Sequence, residues 1–282
     1  SKYSRKFVIC LFLELVLSAV YTICSLSFRL DISLLAFPFS LVFTAFFIRF
    51  AYFKVLKEKK QKYFSYTLKF VQYVPTVFLI AFIIQRSGNE GKPYWLDVIS
   101  AILWILIFIF SFILQHYMSD KNAGRIEDFW LEKCEKRKKP VGLGRIVYEL
   151  VDWVDALLQV VFLVFIFQVF TFQLYVIPSE SMVPEFLVKD RVVVEKIGSG
   201  PKFPLSDAGL NDFSKYKRGD IVVIRNPHYT LDHKSEVKTV TSQLVYMLTF
   251  MAVNLNKDEN GEMKADPLVK RIAGLEGEQL VM

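Results

Sequence analysis

Cysteine and histidine are scarce in this chain, with three of each in 282 residues. Cys10 and Cys24 fall in the first apolar run and Cys134 in a basic stretch, so no disulfide framework can be drawn from them. His116, His228 and His233 are scattered, and the last two sit in "NPHYTLDH", which reads as a solvated loop and not as a metal site. Internal repeats and low-complexity segments are also missing. Excess positive charge is absent from the last third: from Pro178 onward fourteen basic and fifteen acidic residues nearly cancel, although the whole chain carries +7. That balance excludes a nucleic-acid partner as the reason for the charge.

Apolar residues are abundant instead, at 53% of the chain with 16% aromatic, more than one soluble core of this size needs. Crossing roughly 30 Å of hydrocarbon takes about 20 residues. Five runs qualify as candidate transmembrane helices: Phe7 to Phe28, Ile32 to Phe53, about Tyr66 to Gln85, Trp95 to Tyr117 and about Trp153 to Val176. The first is too long for a cleavable signal peptide, and a second follows after only Arg29-Leu30-Asp31. Glu14, near the middle of the first run, is either functional or a protonated or paired carboxyl facing another helix.

Basic residues set the orientation. With the amino terminus inside, inner segments hold seventeen Lys and Arg, against Arg29, Arg86 and Lys92 in the outer connections. An odd number of spans then puts everything after Val176 outside a cytoplasmic membrane. The stretch "CEKRKKP" (134–140) reads as a topology determinant that also touches anionic membrane lipids, and "EDFWLEKCEKRKK" as an amphipathic helix.

Beyond Val176 the pattern changes to short β-branched runs, "DRVVVEKI" (190–197), "GDIVVIRN" (219–226) and "PLVKRIAGL" (267–275), separated by Gly, Pro, Asp and Asn clusters. The expected architecture is an α-helical multi-pass membrane region followed by a mainly β extracytoplasmic domain. Its parts are four spans over 1–118, a basic cytoplasmic loop over 119–152, a fifth span over 153–176 and a β-rich domain over 177–282. The stretch "QLVYMLTFMAVNL" (243–255) is short for a sixth span and is read as a core helix, a hairpin or an element lying on the membrane.

The segment "YVIPSESMVPEF" (175–186) places Ser179 and Ser181 between prolines directly after the fifth run. Prolines stiffen it, which suits a linker leaving the membrane and equally suits a held hydroxyl. A nucleophilic serine needs a base and donors for the developing oxyanion. His228 or His233, oriented by Asp220 or Asp232, has no spacing to recommend it. A lysine base must come down from about 10.4 by more than three units, roughly 4 to 5 kcal/mol, through burial. Lys270 in "PLVKRIAGL" is the outer lysine best surrounded by apolar residues, whereas the other outer lysines, Lys196 among them, lie in polar or turn-rich contexts.

"IPSESMVPEFLVKDRVVVEK", "KRGDIVVIRNP" and "VKRIAGLEGE" together resemble three consecutive boxes of the type I signal peptidases, membrane-bound Ser/Lys proteases that remove signal peptides from exported proteins. The resemblance covers about 173–280. It implies that Ser181 is the nucleophile, Lys270 the general base, and the Ser179 hydroxyl with the Ser181 amide the oxyanion hole. It also implies a substrate strand lying beside Met182, Pro184, Leu187 and Val269, within a groove flanked by 182–187 and 266–269. Preproteins would be the substrates, translocation machinery a further partner, and no cofactor would be needed.

Glu185 stands where the family commonly has Thr, Lys189 where it has Gly, and Glu276 and Glu278 where Pro and Asp are usual. The family's Gly-Asp-Asn box and its supporting Ser and Asp are expected beyond Met282, so the chain is read as a fragment of a longer protein. A catalytically inactive membrane scaffold that binds exported segments is the alternative from another class. A transporter ranks third, because the runs lack paired intramembrane charges.

Overall fold

A computed structural model of the chain describes residues 2–88, 93–126, 141–177, 180–224, 233–249, 252–253, 255 and 268–279, with no side-chain description at 61, 120 and 233–236. It divides into two compact units, Ser1–Val151 and Asp152–Met282.

The first unit is helical. Its elements are α1 (Lys2–Cys24), α2 (Ala36–Ile48), α3 (Phe64–Arg86), α4 (Tyr94–Met118) and the single turn α5 (Asp120–Ala123). A 3-10 turn over Ile32–Leu35, capped by the Asp31 side chain on Ser33 N, leads into α2, and a π-helical stretch over Arg49–Lys57 prolongs it. The run Ile32–Lys57 is therefore one continuous apolar rod. Five helices of the described residues are long and apolar enough to cross a membrane: Lys2–Cys24, Ile32–Lys57, Phe64–Arg86, Tyr94–Met118 and Leu143–Phe170.

Hydroxyl side chains bring α1 and α2 together. Thr22 Oγ1 and Thr44 Oγ1 lie 2.8 Å apart, and the Ser25–Ser40 and Ser27–Ser33 hydroxyl pairs lie 2.7 Å apart. Small polar residues let apolar helices approach closely while each hydroxyl finds a partner. Tyr21 Oη donates to Phe78 O at 3.1 Å, tying α1 to α3.

Pro75 sits inside α3 and has no N–H for the Val71 carbonyl one turn earlier. Ser111 of α4 donates its hydroxyl to that carbonyl, and Trp104 of α4 donates Nε1 to Pro75 O at 2.8 Å. The proline thus frees the Val71 carbonyl, and Ser111 of α4 fills it. At the other end, Arg86 Nη2 donates to Asp97 Oδ1 at 2.6 Å, and Gln85 Nε2 donates to Cys24 O at 2.9 Å. Glu14 is 0% exposed on α1, and neither carboxyl oxygen has a hydrogen-bond partner among the described residues.

The second unit begins within α6 (Leu143–Phe170), a helix longer and earlier than the expected run from Trp153 to Val176. The last five residues of that run form strand β1 (Phe172–Val176), because they pair antiparallel with β2 (Arg191–Glu195), Phe172 opposite Glu195 and Val176 opposite Arg191. A second pair joins β3 (Ile221–Ile224) to β4 (Leu268–Arg271), with Val222 opposite Lys270. All three β-branched runs of the sequence carry a strand. The loop after β2 packs inward on Phe203, Leu205 and Ala208, and the Phe203 ring meets Phe170 at the end of α6, 5.0 Å between centroids.

Helix α7 (His233–Leu248) takes up the start of the 243–255 stretch. Its sixteen residues are fewer than a span needs, and Ser242 and Tyr246 are buried, so this part is a packed helix. The proposed amphipathic helix at 127–139 and the loop holding His228 lie outside the described residues.

Candidate active site

Ser181 occupies a 3-10 turn, Glu180–Met182, in the connection between β1 and β2. Backbone hydrogen bonds organise this connection: Val183 N donates to Glu180 O at 3.0 Å, and Glu185 N to Met182 O at 2.9 Å. The Met182 side chain, 9% exposed, anchors the turn from within, while Pro184 and Leu187 face outward and the Val183–Pro184 peptide is cis.

The connection returns to β2 through a tight turn. Lys189 N donates to Ile177 O at 2.8 Å and Ile177 N to Asp190 O at 2.9 Å, extending the β1–β2 ladder by one rung. Leu187 N is held by Asp190 Oδ2 at 2.7 Å. The turn places Lys189 at φ +74°, a conformation glycine adopts freely, so the lysine holds this turn at the cost of backbone strain.

Lys270 projects from β4, and its Nζ donates to Ser181 Oγ at 3.3 Å. The fold brings together two side chains 89 positions apart in sequence. Both are exposed, which departs from the expectation of a lysine buried in apolar surroundings. The reason is architectural: β3 and β4 form a two-stranded sheet among the described residues, and the end of β4 carrying Lys270 and Arg271 is exposed.

Among the described residues the desolvated lysine is Lys196, which the sequence places in a polar context. Burial lowers its pKa from the ordinary lysine value. Its Nζ donates to Gln168 O in the last turn of α6 and to Gln173 Oε1 in β1, each at 3.2 Å. A cation there satisfies a helix-terminal carbonyl and complements the negative end of the helix dipole. Lys196 therefore locks the junction between α6 and the β-unit. The signal was present in "RVVVEK", since alternation puts Val192, Val194 and Lys196 on one face of the strand.

Neither Arg271 nor Glu185 is marked as a site residue by the sequence alone. Arg271 Nη1 donates to Gly219 O at 2.7 Å, and Arg271 Nη2 forms an ion pair with Glu185 Oε1. Asp220, weighed as a partner for a histidine, closes its own turn instead by accepting from Lys217 N at 2.8 Å. Val269 is half-buried in β4 beside Lys270. Ser179 and Asp266 lie outside the described residues, as do His228 and Asp232.

Residues 150–282 match the family model described as signal peptidase, peptidase S26. Three relatives are similar over this part, all named Signal peptidase I and all from Buchnera aphidicola. The protein of subsp. Schizaphis graminum is 28% identical over 142 residues, 49% of this chain and 41% of its own. That of subsp. Acyrthosiphon pisum is 32% identical over 130 residues, 46% of this chain and 38% of its own. That of subsp. Baizongia pistaciae is 35% identical over 132 residues, 47% of this chain and 38% of its own. The chain thus spans about two fifths of the length of these relatives. No solved structure gives a significant match.

Proposed function

From the match of residues 150–282 to the signal peptidase family, we propose that this protein cleaves signal peptides from exported preproteins by Ser/Lys acyl transfer at the outer face of the cytoplasmic membrane. The observation that carries this reading is the 3.3 Å approach of Lys270 Nζ to Ser181 Oγ. A neutral Lys270 amine takes the Ser181 proton as the oxygen attacks the scissile carbonyl. The Ser181 amide and the Ser179 hydroxyl receive the oxyanion. The protonated amine then passes its proton to the leaving amino group. Water, deprotonated by the same amine, releases the acyl-enzyme.

The substrate's extended segment lies beside 182–187 and Val269, adding main-chain hydrogen bonds as a strand does. Pro184 and Leu187, both exposed, line the groove, while the inward packing of Met182 fixes its floor.

The five long apolar helices are read as spans, amino terminus inside, with 1–118 as the four-span region and the basic residues of 119–152 held in the cytoplasm. An odd number of crossings puts Ser181 just outside, where the cleavage site of an inserted signal peptide emerges. Contacts with lipids and with translocation machinery follow from that placement.

Preprotein cleavage by the purified protein in liposomes tests the reading. Ser181→Ala lowers kcat by at least about 1,000-fold if the serine is the nucleophile. Undiminished cleavage by that variant contradicts it.

A further inference from the structure

The 3.3 Å contact between Ser181 and Lys270 joins a loop of one two-stranded sheet to a strand of the other, through an exposed and flexible lysine side chain. A lysine has many rotamers to lose and no fixed fork geometry, so it does not hold two segments in register by itself. The next residue is better suited. Arg271 presents a planar guanidinium to two acceptors at once, the Gly219 carbonyl beside β3 and the Glu185 carboxylate four residues after Ser181. Glu185 is itself fixed to the serine turn, because its N–H donates to the carbonyl of the inward-packed Met182.

We infer that Glu185 and Arg271 are positioning residues, an ion-paired clasp that sets the distance between the Ser181 turn and the strand bearing Lys270. This inference rests on the Ser181/Lys270 reading proposed above. The side chains of the pair are 44% and 45% exposed, and surface ion pairs of that kind contribute little to stability. Their contribution is to geometry: a displacement of about 1 Å between reacting groups can cost about 100-fold in rate. The clasp acts on kcat and leaves substrate affinity and melting temperature nearly unchanged.

The test is a double-mutant cycle in preprotein cleavage by the purified protein in detergent, with Glu185→Gln, Arg271→Gln and the double variant. Glu185→Gln keeps size and polarity and should lower kcat about 10- to 100-fold with KM unchanged and the thermal transition in place. The double variant should be no slower than Arg271→Gln alone, because both changes remove one shared contact. A wild-type kcat for Glu185→Gln, or losses that multiply in the double variant, overturns the clasp. Ser181→Ala is measured alongside. If it is inactive while Glu185→Gln is fully active, only the clasp fails; if it cleaves at the wild-type rate, the catalytic reading fails and the clasp with it.

Discussion

Lys189 carries a strain that its own chemistry explains. A side chain at φ +74° crowds the backbone, at about 1 to 2 kcal/mol for an ordinary residue in this region, and glycine escapes that crowding while losing more entropy on folding. Lys189→Gly should therefore stabilise the β-unit by about 0.5 to 1 kcal/mol, read as a higher midpoint in thermal or denaturant unfolding. An unchanged or lower midpoint means that the lysine side chain compensates in a way its geometry does not reveal. The sequence announced this strain through a lysine where glycine was expected. It did not announce the two lysines' environments. Lys270 was judged by its apolar neighbours in sequence, yet along a strand those neighbours alternate between faces, and on a two-stranded sheet one face stays open. Lys196 was judged by polar neighbours, while the strand turned it inward against α6 and β1.

Among the elements, the helices were the most legible, because a run of about 20 apolar residues has few folded alternatives. Their ends were less so. Phe172–Val176 continues the apolar run and becomes a strand because Arg191–Glu195 is available to pair with it, a partner that local sequence cannot register. Packing between α3 and α4 was invisible for a similar reason. Pro75 frees the Val71 carbonyl, but only the folded bundle reveals that Ser111 supplies the missing donor. Ser111→Ala should lower the stability of the helical unit by about 1 kcal/mol, measured by unfolding in mixed micelles, since the carbonyl then loses its partner where no water competes. An unchanged unfolding curve would show that the Val71 carbonyl is satisfied some other way.

For the whole molecule, charge and apolarity divide the labour. The excess of basic residues gathers between the apolar helices and residues 178–282 are nearly neutral, a distribution that supports the proposed orientation in a membrane and not nucleic-acid binding. The β-unit then presents a serine and a lysine from opposite ends of its sequence, linked by Glu185 and Arg271, while Lys196 fastens the sheet to the helix that precedes it. The serine segment stands out in the sequence through its prolines and its motif; the Ser181–Lys270 contact proposed as its dyad depends on tertiary pairing of β3 with β4.

That contact can be tested through the amine itself. Lys270→Cys removes the amine, and alkylation of the new thiol with 2-bromoethylamine rebuilds a lysine-like side chain at an exposed site. The account predicts preprotein cleavage close to zero for Lys270→Cys and its recovery after alkylation, with identically treated Lys270→Ala remaining inactive. Full cleavage by Lys270→Cys before alkylation, or no recovery after complete alkylation of a folded protein, would contradict the claim that an amine at this position draws the proton from Ser181.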